Sequence, residues 1–236
     1  MATESSNPEN EIEPNFQYEI LPEDCRQYDL TFKVIVIGDS GVGKSSLTNK
    51  ATNSIFSDKY NATVGFEFFT FNIKMFNKIV RLQIWDTCGQ ELYRSLITNF
   101  YRNSSLAIIV YAINEKSSFE DIDMWLRDLR KNSNPDAKVF LIANKIDLEK
   151  DRKISKEEGQ KIKDDNKLDL FMESSAKNGI NAQNIFIQAA KMLLQDYLKY
   201  KGGDLQSEQI TEEVSVETIE LSTKRSKKHN SVGGCC

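Results

Sequence analysis

Apolar and polar positions along the chain alternate in a way that predicts an α/β domain. Short apolar runs, typical of buried strands, are separated by segments in which apolar residues recur at helical spacing, so most strands should be parallel. The predicted strands are 31–37, 66–75, 78–85, 106–111, 138–143 and 169–172. Only Phe76 and Asn77 separate the second and third, which predicts one antiparallel hairpin. We therefore expect a six-stranded, mostly parallel sheet with one antiparallel strand and helices on both faces.

Two of the segments between strands carry the apolar stripe of an amphipathic helix. The first stripe consists of Phe119, Ile122, Leu126 and Leu129. The second consists of Phe186, Ala189, Ala190, Leu193 and Tyr197. Both are predicted to pack on the sheet rather than to line a cofactor site. A further helix, more polar, is predicted near residues 44–53.

Composition divides the chain into three parts. Residues 1–29 contain eight Asp or Glu and one Arg, which predicts an acidic, disordered N-terminal extension. Residues 30–200 hold all the predicted strands and helices and form one domain of ordinary size. Residues 201–236 are rich in Gly, Ser, Thr, Glu and Lys, which predicts a flexible tail.

Charge and composition argue against several classes of protein. A net charge of −4 and an acidic N-terminus argue against binding to nucleic acid. The N-terminus lacks the basic start and apolar stretch of a signal peptide, and the apolar run 106–113 is shorter than the roughly 20 residues that cross a bilayer. The four cysteines show no disulfide or zinc spacing, and the one histidine, His229, lies in the tail. Histidine-based catalysis is therefore excluded from the domain.

The segment GDSGVGKS lies between the first strand and the polar helix and matches the phosphate-binding pattern G-x-x-x-x-G-K-S/T. Its glycines let backbone N–H groups face phosphates, Lys44 can reach the outer phosphates, and the Ser45 hydroxyl can ligate magnesium. The residues predicted to bind the nucleotide here are Gly38, Asp39, Ser40, Gly41, Val42, Gly43, Lys44, Ser45 and Ser46. Taken alone, this loop also fits an ATPase or a nucleotide kinase.

A second motif, DTCGQ, follows the third strand. Its position at the carboxyl end of a strand puts Asp86 near the phosphate loop, where the carboxylate can hold magnesium through a water. The Gly89 N–H can meet a γ-phosphate, and the Gln90 amide can orient an attacking water, so Gln90 is the candidate catalytic residue. The alternative is a plain strand-ending turn, which would have no need of the glutamine.

The motif NKID after the fifth strand points to guanine. Asp147 can accept hydrogen bonds from N1–H and the exocyclic amine of guanine, which adenine does not offer as donors. Asn144 would tie this loop to the phosphate loop, and the stem of Lys145 can cover the base. After the sixth strand, a fourth loop would bring a backbone N–H to guanine O6; its residues are Ser175, Ala176 and Lys177.

In this order the four motifs resemble the Ras superfamily of small GTPases over residues 30–200, and Rab proteins most closely. The Rab likeness rests on the stretches TVGFEF, RLQIW, RSLI and FYR and on the terminal GGCC. The resemblance implies a P-loop GTPase fold and a monomeric switch that binds GTP or GDP with Mg²⁺, hydrolyses GTP slowly and regulates vesicle traffic. It also implies an exchange factor, a GTPase-activating protein and effectors as partners.

The resemblance also assigns roles to single residues. Thr63 would join Ser45 and Asp86 at the magnesium ion, and Phe56 would lie edge-on against the guanine. An aromatic patch read by effectors would consist of Phe68, Trp85 and Phe100. A core role for any one of these three remains an alternative.

The chain ends in Cys235 and Cys236, which by the Rab resemblance carry two geranylgeranyl groups, and the resemblance also implies prenyl-carrier proteins as partners. Two lipid chains give stable anchoring where one gives only marginal attachment. The basic run 224–228 favours an anionic leaflet, although without the cysteines it would indicate a solvated tail or a nuclear import signal. The expected location is the cytoplasmic face of an intracellular membrane, in exchange with the cytosol. The rival functions are a P-loop ATPase or nucleotide kinase, and a module that holds nucleotide without turnover.

Overall fold

The computed structural model describes residues 17–57, 63, 65–89 and 100–202 of the chain. The elements in chain order are β1 (Tyr18–Leu21), β2 (Leu30–Ile37), α1 (Lys44–Asn53), β3 (Phe66–Met75), β4 (Lys78–Thr87), β5 (Leu106–Ala112), α2 (Lys116–Glu120), α3 (Ile122–Asn132), β6 (Lys138–Asn144), a 3₁₀ helix (Ile146–Asp151), α4 (Lys156–Asp165), β7 (Leu170–Glu173) and α5 (Ala182–Tyr200). This alternation confirms the predicted α/β class. No helix within the described ranges is both long and apolar enough to span a membrane.

The strands form one sheet in the order β1-β3-β4-β2-β5-β6-β7. β3 is antiparallel to both of its neighbours, whereas the remaining neighbours pair in parallel. A mostly parallel sheet with one strand running against the others is therefore confirmed. The hairpin is also confirmed, since Phe76 and Asn77 both have positive φ, 48° and 58°, as a tight turn matched to strand twist requires.

The sheet has seven strands rather than the predicted six, because β1 comes from the N-terminal segment. β1 pairs with the C-terminal end of β3, from Tyr18 opposite Met75 to Leu21 opposite Asn72. The prediction of disorder over residues 1–29 is thus wrong for 17–29, while residues 1–16 lie outside the described part of the chain. The acidic composition predicted disorder, but strand pairing depends mainly on the backbone. The N–H and C=O groups of an open sheet edge bind a neighbouring strand largely irrespective of its side-chain charge, so an acidic segment can still form a strand.

Side chains of the β3–β4 hairpin hold the segment that follows β1. The Asn72 amide donates to the carbonyl of Pro22 at 2.7 Å. The Arg81 guanidinium donates to the Cys25 carbonyl and to the Asn72 side-chain oxygen, and it lies 4.0 Å from the centre of the Tyr28 ring. One arginine thus fixes the N-terminal segment through a hydrogen bond and a cation–π contact.

The change Arg81→Met should lower the free energy of unfolding by about 1–3 kcal/mol, because it leaves a carbonyl and an amide oxygen without their charged donor. Urea unfolding of the domain measures this. Arg26→Met is the matched control, since Arg26 is an exposed arginine of the same segment. Equal free energies of unfolding for the two variants would show that the contacts of Arg81 with this segment add nothing to stability.

A hydrophobic core lies on each face of the sheet. Successive residues of β2 serve opposite faces because side chains alternate along a strand. Val34 and Val36 belong to the cluster that includes buried residues of α1 and α5, and Ile35 and Ile37 belong to the cluster that includes buried residues of α3. The prediction of helices on both faces is confirmed.

The first predicted stripe is divided between two helices. α2 ends at Glu120 and α3 begins at Ile122, with Asp121 between them. Phe119 therefore lies on α2, where its ring packs against Tyr111 with centroids 5.1 Å apart. The second stripe lies on α5, where all its residues except the half-buried Tyr197 are buried.

Candidate functional site

Four loops meet at the carboxyl end of the parallel strands, where ligand sites of open α/β sheets form. They follow β2, β4, β6 and β7. Between them lies a cavity of about 620 Å³, a volume typical of small-molecule sites. Its lining includes most of the residues predicted to bind nucleotide: Ser40, Gly41, Gly43, Lys44, Ser45, Ser46, Phe56, Thr63, Gly89, Asn144, Lys145, Asp147, Ala176 and Lys177.

The loop after β2 leads directly into the N-terminus of α1. Gly43 is the N-cap of α1, with φ of 96°, and a Cβ there would meet the Asn144 amide nitrogen at 2.5 Å. Only glycine permits both this conformation and this close approach. The residues at the start of α1, 43–46, line the cavity. A helix N-terminus has backbone N–H groups without intrahelical partners and a positive dipole, so this end of the cavity suits an anion.

Lys44 lies inside this loop rather than on its surface. Its side chain is 5% exposed and its ammonium donates to the carbonyls of Gly38 at 2.8 Å and Asp39 at 2.7 Å. Burial lowers the pKa of Lys44 to about 8, against the opposing attraction of Asp86 and Asp39. The backbone of its own loop thus orients the amine. The nearby carboxylates compensate its positive charge only in part, which leaves the amine suited to bind a phosphate.

Three oxygen-bearing side chains converge beside Lys44. The hydroxyls of Ser45 and Thr63 are hydrogen-bonded at 2.7 Å, and Ser45 also donates to one oxygen of Asp86. The other Asp86 oxygen, Oδ1, is buried and has no hydrogen-bond partner among the described residues. Burial raises the pKa of Asp86 to about 7, and the contacts with Ser45 and Lys44 oppose this.

This donor set fits a magnesium ion. Mg²⁺ prefers hard oxygen ligands, and an ion or its bound water would satisfy the orphaned Asp86 oxygen. The structure brings together the three residues predicted as metal ligands, namely Ser45, Thr63 and Asp86.

Asn144 connects three of the loops from a fully buried position. Its amide donates to the Val42 carbonyl in the phosphate loop at 2.9 Å. Its side-chain oxygen accepts from the Ser174 hydroxyl at 3.3 Å and from the Ala176 backbone N–H at 3.2 Å. The predicted tie between the base loop and the phosphate loop is present, and it extends to the loop after β7.

Asp147 is held in place by the loop after β7. Its Oδ1 accepts from the Ser175 hydroxyl at 2.6 Å, so that loop orients the carboxylate. Phe56 and Lys145 line the same cavity as Asp147. A carboxylate fixed in this way can accept hydrogen bonds from the N–H groups of a base that lies between the side chains of Phe56 and Lys145.

The remaining predicted site residues lie behind the cavity or outside the described residues. Gly38, Asp39, Val42 and Ser175 support the lining through the hydrogen bonds given above. Gln90, Cys235 and Cys236 lie outside the described part of the chain, so their predicted roles stay predictions.

Sequence reasoning missed several residues that line the cavity: Asn49, Ile55, Ser57, Glu67 and Leu148. Asn49 lies four residues after Ser45 on α1, and that spacing places both on one helix face. Helical periodicity could therefore have identified Asn49. Glu67 lies in the Rab-like stretch TVGFEF, which gave it no role in the site, and Ile55, Ser57 and Leu148 belong to no recognised motif.

An aromatic cluster brings together Phe68 of β3, Trp85 of β4 and Phe100, the three residues that are predicted to meet effectors. Trp85 lies 5.3 Å from Phe68 and 5.4 Å from Phe100, measured between ring centroids. Phe66, which sequence reasoning missed, contacts Trp85 at 5.2 Å and Phe100 at 4.7 Å. Phe66 and Phe68 are 45% and 47% exposed, and their i, i+2 spacing on one strand was the available signal.

The sequence of this chain is similar to a known protein family and to several known proteins. The model of the Ras family matches residues 33–195. Ras-related protein RIC2 of Oryza sativa subsp. japonica is 41% identical over 170 residues, which cover 72% of this chain and 76% of the relative. Ras-related protein SEC4 of Candida albicans is 35% identical over 179 residues, which cover 75% of this chain and 84% of the relative.

Proposed function

Because the chain belongs to the Ras family of small GTPases, we propose that it works as a Rab-type switch regulating intracellular vesicle traffic. The observation that carries the proposal is the Asp147 carboxylate, fixed by Ser175 in a cavity that Lys44 also lines. Such a cavity suits a guanine base and its phosphates together.

Recognition of guanine rests on two groups in this proposal. Asp147 accepts from N1–H and the exocyclic amine of the base, and the Ala176 N–H faces O6. Ser175 already orients the carboxylate, and the Ala176 N–H, which donates to the Asn144 side-chain oxygen at 3.2 Å, would share its hydrogen with O6 when guanine is bound. Because adenine offers a different pattern of donors and acceptors on this edge, the same groups would reject it.

The phosphates lie at the N-terminus of α1 in the proposed complex. Lys44 and the backbone of residues 38–46 bind them, and Ser45, Thr63 and Asp86 hold Mg²⁺. When bound, the ion neutralises charge on the phosphate oxygens. The chain's own contribution is to fix the donors in place before the ligand arrives, as the Lys44 hydrogen bonds to Gly38 and Asp39 illustrate.

The switch itself depends on the γ-phosphate. Thr63 and Gly89 line the cavity, and each belongs to a different loop near the phosphates. Contacts from both to the γ-phosphate would hold the two loops in the GTP form, and their loss on hydrolysis would release them. Effectors would bind the two loops in the arrangement that they have in the GTP form, together with the neighbouring aromatic cluster of Phe66, Phe68, Trp85 and Phe100.

Membrane attachment, like the role of Gln90, rests on sequence alone. Cys235 and Cys236 would carry geranylgeranyl groups and hold the protein on the cytoplasmic face of an intracellular membrane. Prenyl-carrier proteins would return it to the cytosol. An exchange factor and an activating protein would set the ratio of the two nucleotide states, and the switch itself would be monomeric.

Replacing Gln90 by leucine tests the proposed turnover. Leucine cannot orient an attacking water, so the single-turnover rate of GTP hydrolysis should fall roughly 10- to 100-fold. GDP affinity should stay unchanged because Gln90 is assigned to the water rather than to the nucleotide. Rapid-quench measurement of phosphate release from preloaded protein gives the rate.

Gln27→Leu, a change in the exposed N-terminal segment, is the control for that measurement. Competition between GDP and ADP for the wild-type protein belongs to the same experiment. Equal affinities for the two would favour the ATPase or nucleotide kinase. A preference for GDP with equal hydrolysis by wild type and Gln90→Leu would instead contradict the role of Gln90, and absence of any hydrolysis would favour a binding module.

A further inference from the structure

The indole of Trp125 links α3 to the phosphate loop. Its Nε1–H donates to Asp39 Oδ1 at 2.7 Å, across 86 residues of sequence. Trp125 is 2% exposed and belongs to the cluster that packs between α3 and the sheet. Asp39 is the second residue of the phosphate loop, yet it does not line the cavity.

The backbone of Asp39 contacts two parts of the site. Its carbonyl accepts from the Lys44 ammonium at 2.7 Å. Its peptide link to Ser40 lies against Gly89, so closely that a Cβ on Gly89 would collide with the Asp39 carbonyl and the Ser40 nitrogen. The position of Asp39 therefore affects the orientation of Lys44 and the space available to Gly89 in the loop after β4.

The Asp39 carboxyl needs its partner. Burial raises its pKa, the Trp125 hydrogen bond lowers it, and the neighbouring Asp121 raises it again through both charge and hydrogen bonding. The positive charge of Lys44 also lowers this pKa, but its effect is the smallest of these. Without the indole N–H, the carboxylate would be left half-buried beside another acid, and the loop would have to move to solvate it.

We propose that Trp125 is a positioning residue for nucleotide binding: by holding the Asp39 side chain, it fixes the backbone that presents Lys44 to the phosphates. The inference rests on the proposed function, since it concerns how the same site binds GDP. A residue that served only to fill the core would be replaced without functional loss by another aromatic ring. If Trp125 is a positioning residue, a substitution that removes its indole N–H should weaken GDP binding even when an aromatic ring is kept.

The test is the change Trp125→Phe, which keeps an aromatic ring and removes the donor. GDP affinity should fall about 10- to 100-fold, the range for losing a hydrogen bond to a charged group. Affinity for guanosine, which has no phosphates, should stay the same. Fluorescence competition gives both values, and thermal melting establishes that the variant is folded at the assay temperature.

Variants at Asp39 make the test specific. Asp39→Ala should reproduce the loss of GDP affinity, and combining it with Trp125→Phe should add little, because both remove the same contact. Asp39→Asn keeps an oxygen that can accept from the indole, so it should restore most of the affinity lost in Asp39→Ala. The indole N–H resonance of Trp125 should shift in Asp39→Ala and move less in Asp39→Asn.

The outcomes separate this inference from the proposed function. A wild-type protein that binds GDP no better than ADP would overturn the function, and the inference with it. A wild-type protein that prefers GDP, with a Trp125→Phe variant whose ratio of GDP to guanosine affinity is unchanged, would overturn the inference alone. Full additivity of the two substitutions would also overturn it.

Discussion

Asp147→Asn is expected to reduce GDP affinity on the order of 10³-fold or more, because a site built to accept from N1–H and the exocyclic amine would then present an amide donor to them. The change keeps the size of the side chain, and its oxygen can still accept from Ser175, which holds Oδ1 at 2.6 Å. The effect should therefore arise at the base and not from collapse of the loop.

Xanthosine diphosphate provides the complementary ligand. Xanthine has a carbonyl where guanine has the exocyclic amine, and the asparagine N–H₂ can donate to it. The Asp147→Asn variant should therefore bind xanthosine diphosphate better than GDP, whereas the wild-type protein should show the opposite order. Isothermal titration with both nucleotides gives the four affinities.

Asp151→Asn is the matched control, since Asp151 is an exposed acid at the end of the same 3₁₀ helix. It should leave both affinities unchanged. An Asp147→Asn variant that still preferred GDP over xanthosine diphosphate would show that another group reads the base. Equal losses for both nucleotides would indicate that the loop had been displaced.

The parts of the site that could be predicted from sequence are those in which the chemistry is contiguous. Lys44 and Ser45 follow a glycine-rich turn, and Asp86 ends a strand, so a pattern and a position together are sufficient. Parallel strands bring their carboxyl ends to one edge of the sheet, and this general rule places Asn144 and Asp147 near the phosphate loop.

The parts that could not be predicted depend on contacts between distant residues. β1 forms because β3 offers an open edge, and nothing within residues 18–21 indicates that pairing. The hydrogen bond from Trp125 to Asp39 joins residues 86 positions apart, and the spacing of α3 shows only that Trp125 faces the core. Local propensity carries no information on which partner a buried donor will meet.

Electrostatics explains why the phosphate and metal ends of the cavity should fill together. Burial disfavours charge on both Lys44 and Asp86, lowering the pKa of the amine to about 8 and raising that of the acid to about 7. A phosphate beside Lys44 and a cation beside Asp86 would each stabilise the charged form of its neighbour. Binding of either ligand should therefore strengthen binding of the other.

Asn144→Ala is expected to have the second large effect, a rise of about 10²- to 10³-fold in the rate of GDP dissociation. The change removes the hydrogen bond that Asn144 donates to the Val42 carbonyl and the one that it accepts from the Ala176 N–H, and both of these groups are buried. The loops that hold the phosphates and the base would then no longer be tied to each other. Release of a fluorescent GDP analogue into excess GDP measures the rate.

Asn132→Ala is the control for Asn144→Ala, because Asn132 bonds within its own helix, to the Asp128 carbonyl at 2.7 Å. The comparison with Asp147→Asn is more informative still. A residue that reads the base alone should lose GDP and gain xanthosine diphosphate, whereas a residue that joins the loops should lose both. If Asn144→Ala kept xanthosine diphosphate while it lost GDP, Asn144 would have to contact the base itself, and its proposed role in holding the loops together would be wrong.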